Sequence, residues 1–345
     1  MKNILIIKIA ALGDVLRTTC ILAGLHEKYP NVKISWLTSA SAVCLLEDNP
    51  LIEKVIPIET TAVVHLKENS YDLVISLDDE PGACNLASDV KTKKLFGAYR
   101  SGEGILYTPD SADWFNMSLI STLGKDEADK QKKANQRSYP DILFDALKIR
   151  SGKPSLHLGQ DDWAFAKRFR QSCLEHNSIK IGLNTGAGNR WQLKRLGVSK
   201  TVDLANELSR SADRQILVFG GPEELVRNQE IIAKASCPIV DTGTNNSIRQ
   251  LSALVGLCDV LVTSDSLALH IASALGIATV SFFGPTSAAE IKLFTRGEKV
   301  ESPLSCVCCY KRFCDFSPNC MDVISTDQIS QAVEKLLVIR SSQPS

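Results

Sequence analysis

Residues 260–286 read VLVTSDSLALHIASALGIATVSFFGPT. Val260–Thr263 is a short, continuously apolar run, the pattern of a buried strand. Ser264-Asp265-Ser266 then leads straight into Leu267–Leu275, a helix of small and apolar residues. Thr279–Phe283 is a second buried run, and Gly284-Pro285-Thr286 turns away from it. A strand, a crossover helix and a second strand in so short a span make a parallel pair. Strands without polar alternation belong in a sheet covered by helices on both faces.

The same alternation extends over nearly the whole chain. Earlier in the second half, Ile179–Leu183, Ile216–Phe219 and Pro238–Val240 are strand candidates. Thr201–Ser209, Glu223–Ala235 and Ile248–Leu257 are the helices around them. The first half repeats the scheme with strands at Ile4–Ile9, Val32–Leu37, Val55–Ile58 and Leu73–Leu77. A helix starts near Asp14 and carries Val15, Leu22, Leu25 and Tyr29 at helical spacing. Two doubly wound α/β units in tandem are the simplest reading.

The expected division is residues 1–160, residues 161–325, and a C-terminal helix with its tail at 326–345. Gly152, Pro154 and Gly159 interrupt the pattern near the boundary. Ser325 and Gln328 fit a capping box for the last helix, Thr326–Val338, whose apolar face is Ile329, Val333 and Leu336. The last five residues are expected to fray. Between the halves, Ser101–Gln136 loses periodicity and holds Lys125, Lys130, Lys132 and Lys133, with Arg137 just beyond. Two readings fit: a solvated loop and helix, or a mobile basic flap that meets an anionic substrate.

A length of 345 residues agrees with two domains of about 150 each. Hydrophobic residues at 44% and charged residues at 23% exclude a disordered, collagen-like or wholly membrane-embedded chain. Thirty-nine basic residues balance thirty-nine acidic ones, so no overall field draws the chain to nucleic acid or anionic membrane. No run approaches the ~18 apolar residues of a membrane span. Lys8 breaks the apolar N-terminal run, and Gly13-Asp14 stands where a signal-peptide cleavage site would be. A cytoplasmic location is therefore expected.

In doubly wound sheets ligands bind beyond the carboxyl ends of the strands, so the loops there carry the candidate chemistry. With two units, the cleft between them is the default site. After the first strand, Gly13 permits a tight turn before Asp14. Asp14 is either a plain N-cap, worth about 1 kcal/mol, or a carboxylate placed to take a proton from a hydroxyl. GxGxxG is absent there, which argues against a dinucleotide. After Ile179–Leu183, Gly186 and Gly188 let backbone approach a ligand, Arg190 and Lys194 bring positive charge, and Trp191 forms a wall. That is an anion site, or a tight turn with exposed basic residues.

After Ile216–Phe219, Glu223 and Glu224 follow Gly-Gly-Pro. They complement a helix dipole or bind the hydroxyls of a ribose. After Val260–Thr263, the free N–H groups of a helix first turn make a ready diphosphate site around Ser264, Asp265, Ser266 and Leu267. His270 lies one turn further on the same face, as a ligand of that anion or as a core histidine with satisfied hydrogen bonds.

Three segments occur in order: KIAALGDVLRTT at 8–19, NTGAGNRWQLKRL at 184–196, and TSDSLALHIASALGIATVSFFGPTS at 263–287. Together they resemble glycosyltransferase family 9, the lipopolysaccharide heptosyltransferases and their relatives. The resemblance spans nearly the whole chain. It implies a GT-B fold, with two Rossmann-like doubly wound parallel-sheet domains facing a central cleft. The first would bind the acceptor and the second the nucleotide sugar. It also implies inverting transfer of a heptose from ADP-heptose to a lipopolysaccharide-core or related saccharide, with no cofactor or catalytic metal.

On this resemblance Asp14 is the base, and Ser264, Asp265, Ser266, Leu267 and His270 grip the donor diphosphate. Glu223 or Glu224 takes the ribose, beside Gly186 and Gly188. The family often has a lysine two positions before the tryptophan; here that position is Asn189, and Arg190 or Lys194 supplies the charge. Gly13, Lys132 and Arg137 are the acceptor-contact candidates. The acceptor would be a lipid-linked saccharide at the inner membrane face, with the protein peripheral there and no nucleic-acid partner.

Eleven cysteines remain to be explained. Cys20, Cys44, Cys84, Cys173, Cys237 and Cys258 are scattered, most of them in apolar settings, as buried reduced thiols are. Five crowd into 306–320. Cys306 and Cys309 form a C-x2-C pair that Cys314 and Cys320 would complete as the ligands of a structural zinc or iron–sulfur cluster. Reduced thiols or disulfides are the other reading. Two further functions stand as alternatives: a nucleotide-sugar epimerase or hydrolase of the same architecture, and a nucleic-acid-binding protein using the cysteine knuckle with Lys311 and Arg312. The neutral charge and the lack of an aromatic-basic stripe argue against the second.

Overall fold

Strand β1 (Asn3–Ile7) buries Ile4, Leu5, Ile6 and Ile7 completely, so both faces of its sheet are covered. The computed structural model describes residues 1–102, 104–118 and 123–341, without the side chains of 62, 117, 118, 189, 190 and 339–341. The chain divides into two compact units. One is Met1–His157 with Ala289–Lys292; the other is Leu158–Ala288 with Leu293 onward.

The first unit continues with β2 (Lys33–Thr38), β3 (Lys54–Pro57), β4 (Ser70–Tyr71), β5 (Leu73–Ser76), β6 (Lys91–Thr92), β7 (Leu95–Ser101) and β8 (Gly104–Tyr107). Its main sheet has the order β3-β2-β1-β5-β7-β8, parallel except for β8 against β7. β4 and β6 form a small pair of their own. The second unit has β9 (Ile179–Asn184), β10 (Arg214–Phe219), β11 (Ile239–Asp241), β12 (Val260–Ser264), β13 (Ala278–Phe283) and β14 (Gly297–Glu301). Their order is β11-β10-β9-β12-β13-β14, parallel throughout. Each sheet thus starts centrally, runs to one edge and returns to build the other, the Rossmann order. The order reverses between β1 and β5 and between β9 and β12, the points at which ligands bind in folds of this kind.

The helix expected from Asp14 is two helices, Leu12–Thr18 and Ile21–Lys28. Thr18 and Thr19 break it: their hydroxyls donate to the carbonyls of Asp14 and Leu16 at 2.6 and 2.7 Å. Ser155 N donates to Thr19 Oγ1 at 2.9 Å and pins the corner. In the two main sheets, β14, β7 and β8 carry no clear apolar run. β14 is a polar edge with only Val300 buried. β7 contains Gly97 at φ +108°, where an added Cβ would lie 1.8 Å from Ser76 O, so only glycine fits. β8 is the antiparallel edge beside it.

The lysine-rich stretch forms a helix, Lys125–Ala134, with Lys125 paired to Asp129 and Lys130 to Glu127. The final helix, Thr326–Ser341, is capped by Ser325 Oγ accepting from Gln328 N at 3.4 Å. Ile329, Val333 and Leu336 join Val260, Val280 and Phe282 in one core, so this helix covers the second sheet. Residues 342–345, part of the stretch expected to fray, lie outside the described residues.

Candidate active site

In the first unit, the loops at the reversal follow β1 and β5. Lys8 is buried there, with its ammonium on the Asp78 carboxylate and on Ala10 O. Asp78 also accepts from Ile9 N. A buried charge is tolerated only when paired, so Lys8 and Asp78 hold the turn leading to Asp14. Asp14 is not the N-cap. The cap is Ala11, which has no capping side chain, and Asp14 lies in the first turn after Gly13. The positive helix end favours a carboxylate there.

Arg17 Nη2 lies 2.9 Å from Asp14 Oδ1, and the Arg17 guanidinium sits over the Tyr139 ring at 4.2 Å. The Tyr139 ring leans on Trp114 at 5.2 Å, and its backbone N–H donates to Glu290 O at 3.0 Å. Burial pushes the Tyr139 phenol well above its ordinary value; the Glu290 carboxylate adds to this, while Arg17 opposes it. Of the acceptor candidates, Lys132 is buried, and Arg137 pairs with Asp113 and Asp145.

In the second unit, Asn184 at the end of β9 is the hub. Its amide donates to Gly186 O at 2.9 Å, Thr263 Oγ1 at 3.0 Å and Ser266 Oγ at 3.2 Å. Ser266 is the N-cap of Leu267–Leu275, yet its side chain makes no capping bond. Lys194 Nζ donates to Asp265 Oδ2 at 2.8 Å and Asp265 O at 3.0 Å, and lies 5.2 Å from the Trp191 ring. His270 Nε2 is 4.0 Å from Asp265 Oδ1. Lys194, Asp265, Ser266 and His270 are therefore brought together, with Ser264 buried at the end of β12. The Asp265 carboxylate is thus engaged by the Lys194 ammonium. The side chains of Asn189 and Arg190 lie outside the described residues.

Glu223 and Glu224 are neighbours with opposite placements. Glu223 is exposed. Glu224 is buried, accepts from Gly221 N at 2.9 Å and pairs with Arg195 Nη1 at 3.4 Å. Gly186 lies against that carboxylate, and Gly188 turns at φ +69°. Sequence reasoning missed Asn184 as a hub, together with Lys8, Asp78, Arg17, Tyr139 and Arg195. The usable signal was position, because Lys8, Asp78 and Asn184 all stand at or just after strand ends beside a reversal point.

The cysteine-rich segment docks on the loop after β13. Cys308 N donates to Gly284 O at 3.0 Å, Tyr310 N to Pro285 O at 2.8 Å, and Ser287 N to the Tyr310 hydroxyl at 3.2 Å. Tyr310 also meets Trp191 edge-on at 6.5 Å. Burial pushes the Cys320 thiol up to about 11, with Cys309, Cys314 and Cys306 adding to the rise. All eleven cysteines are free thiols. Among the described residues no group of three or more His, Cys, Asp or Glu is placed to hold a metal, and no helix is long and apolar enough to cross a membrane.

The family model of glycosyltransferase family 9 (heptosyltransferase) matches residues 139–319, more than half of the chain. The chain belongs to that family and is a glycosyltransferase. It is 23% identical over 336 residues to lipooligosaccharide heptosyltransferase 2 of Campylobacter jejuni, covering 94% of this chain and 96% of that one. A family 9 glycosyl transferase from Veillonella parvula superposes with TM-score 0.78 at 20% identity over 98% of both chains. The ADP-heptose lps heptosyltransferase II of E. coli superposes with TM-score 0.70 at 17% identity, covering 99% of this chain and 100% of that one. The fold class is GT-B.

Proposed function

We propose that the protein is an inverting heptosyltransferase acting in the cytoplasm at the inner membrane face. It moves heptose from ADP-heptose to a lipopolysaccharide-core or related lipid-linked saccharide, without a catalytic metal. The first unit takes the acceptor and the second the nucleotide sugar. Asp14 accepts the proton of the acceptor hydroxyl as that oxygen attacks the anomeric carbon. The bond from that carbon to the diphosphate oxygen breaks on the opposite face, so the centre inverts with no covalent intermediate. The electron pair leaves on the diphosphate, which needs positive partners.

One observation carries the reading: Ser266 leaves the start of the Leu267–Leu275 helix without a side-chain cap, and the Lys194 ammonium stands beside it at Asp265. Backbone N–H groups and a cation at one spot are what a diphosphate requires. His270 and Arg190 complete the set on this proposal, and Asp265 orients Lys194 and His270. Glu223 is the ribose candidate, because it is exposed while Glu224 is buried. Gly13, next to Asp14 in the chain, is an acceptor-contact candidate on this proposal. Arg137 would reach an anionic acceptor only by exchanging Asp113 or Asp145 for it.

For Cys306, Cys309, Cys314 and Cys320 the proposal is a structural zinc or iron–sulfur cluster. The support is the C-x2-C pair and the closeness of all four cysteines in sequence. As they stand they are neighbours without forming a ligand set, and no catalytic step is assigned to them.

The test is transfer from ADP-heptose to a heptose-deficient core saccharide in the presence of a chelator. A glycosylated product with inverted configuration supports the proposal. Free heptose without transfer refutes it and favours a hydrolase.

A further inference from the structure

Asp14 stands on the first turn of a short helix, where a carboxylate samples several rotamers unless a neighbour fixes it. Arg17 is that neighbour, with Nη2 2.9 Å from Oδ1. A helix-surface pair at this spacing ordinarily holds little. Arg17 is different because it is held in turn. Its side chain is 12% exposed, and its guanidinium sits over the Tyr139 ring at 4.2 Å.

Tyr139 is itself fixed. Trp114 packs on its ring at 5.2 Å, and Trp114 Nε1 donates to Leu77 O at 3.4 Å, just past β5. Buried Glu290 receives the Tyr139 backbone N–H. A chain of contacts therefore runs from the end of the sheet, through two aromatic rings and a guanidinium, to the Asp14 carboxylate.

We infer that Arg17 is a positioning residue for Asp14: it sets the direction of the carboxylate toward the incoming hydroxyl, and the Tyr139 ring is its platform. The inference rests on Asp14 being the base. No contact of Arg17 with substrate is required. Misplacing a reacting group by about 1 Å can cost on the order of 100-fold, and that is the scale of the expected effect.

The experiment compares native protein with Arg17→Ala, Arg17→Lys, Asp14→Asn and the Arg17→Ala/Asp14→Asn double variant. Binding of a nucleoside diphosphate checks that each is folded. Arg17→Ala is expected to lower kcat about 10- to 100-fold with KM for donor and acceptor within about twofold of native. Arg17→Lys recovers part of the loss, because an ammonium still reaches the carboxylate but lacks the planar fork. In the Asp14→Asn background, Arg17→Ala costs nothing further, because its only route of action is gone. Tyr139→Leu, which removes the platform and keeps Arg17, lowers kcat in the same direction.

The inference is overturned if Arg17→Ala keeps native kcat, if its loss appears in acceptor KM alone, or if the double variant is clearly slower than Asp14→Asn. Near-native turnover of Asp14→Asn overturns the base assignment itself. Loss in Asp14→Asn with none in Arg17→Ala overturns only the positioning role.

Discussion

Gly186→Ala would place a methyl carbon 2.8 Å from both the carboxyl carbon and Oε2 of Glu224, and 3.2 Å from Oε1. Comfortable separations between such atoms are about 3.5–4.0 Å, so something must move. Glu224 has little freedom to do so. It is 2% exposed, it accepts from Gly221 N at 2.9 Å and it faces Arg195 at 3.4 Å. Its own Cβ already lies 2.7 Å from where a Gly220 Cβ would be. If the methyl is squeezed in, overpacking costs about 1–3 kcal/mol. If the carboxylate is pushed off its partners, a charged hydrogen bond worth about 1.5–3 kcal/mol is lost. Both routes give a similar total.

For a unit of this size that is a fall in unfolding midpoint of about 2–12 °C. The assay is thermal unfolding of four proteins: native, Gly186→Ala, Glu224→Ala and the double variant. Glu224→Ala is itself destabilising, because it strands Arg195 and Gly221 N. Within that background Gly186→Ala should cost at least about 1 kcal/mol less than in native protein, since the clash has gone. A Gly186→Ala midpoint within about 1 °C of native, or an equal cost in both backgrounds, refutes the reasoning.

Two further predictions concern thiols and acid. Burial holds the Cys20 and Cys258 thiols far above their ordinary value, while Cys173 is exposed. A thiol reagent on native protein should therefore modify Cys173 and spare Cys20 and Cys258 until unfolding; equal rates at Cys258 and Cys173 would contradict the packing around β9 and β12. Burial alone would raise the Asp162 carboxyl, but hydrogen bonds from Arg249, with Nη2 at 2.6 Å, and from Gly159 N hold it below its ordinary value. The folded state then binds fewer protons there than the unfolded one. This stability is present above the unfolded value of about 3.9 and is lost as pH falls through the folded value. Urea midpoints of native protein should consequently fall more steeply below about pH 4 than those of Asp162→Asn; parallel curves would show that the pair contributes nothing.

Elements buried on both faces were legible. Val260–Thr263, Leu267–Leu275 and Thr279–Phe283 match β12, its following helix and β13 to within a residue. Their apolar runs are continuous because neither face meets water. β14 was not legible, because an edge strand needs only one apolar residue and GEKVE supplies one. β7 was hidden by Gly97, whose place is dictated by Ser76 O from another strand.

In the candidate site, the loops after strands singled out Asp14, Lys194 and the Ser-Asp-Ser turn as candidates. What escaped depended on contacts distant in sequence. Lys8 reads as an interruption of an apolar run, and nothing local says that Asp78 waits beside it in the interior. Arg17 reads as one more helix charge until Tyr139 is placed beneath it. Glu223 and Glu224 are chemically identical neighbours, and the short turn Pro222–Glu224 alone decides which one faces inward.

On the proposed function, one carboxylate does the proton chemistry while separate positive groups hold the donor. The most direct measurement is single-turnover transfer from ADP-heptose by native and Asp14→Ala protein, with donor binding measured on the same samples. With Asp14 as the base, donor affinity is unchanged in Asp14→Ala and transfer is slowed at least ~100-fold, the scale of a missing general base. Native-rate transfer by Asp14→Ala, with the donor still bound, would contradict it.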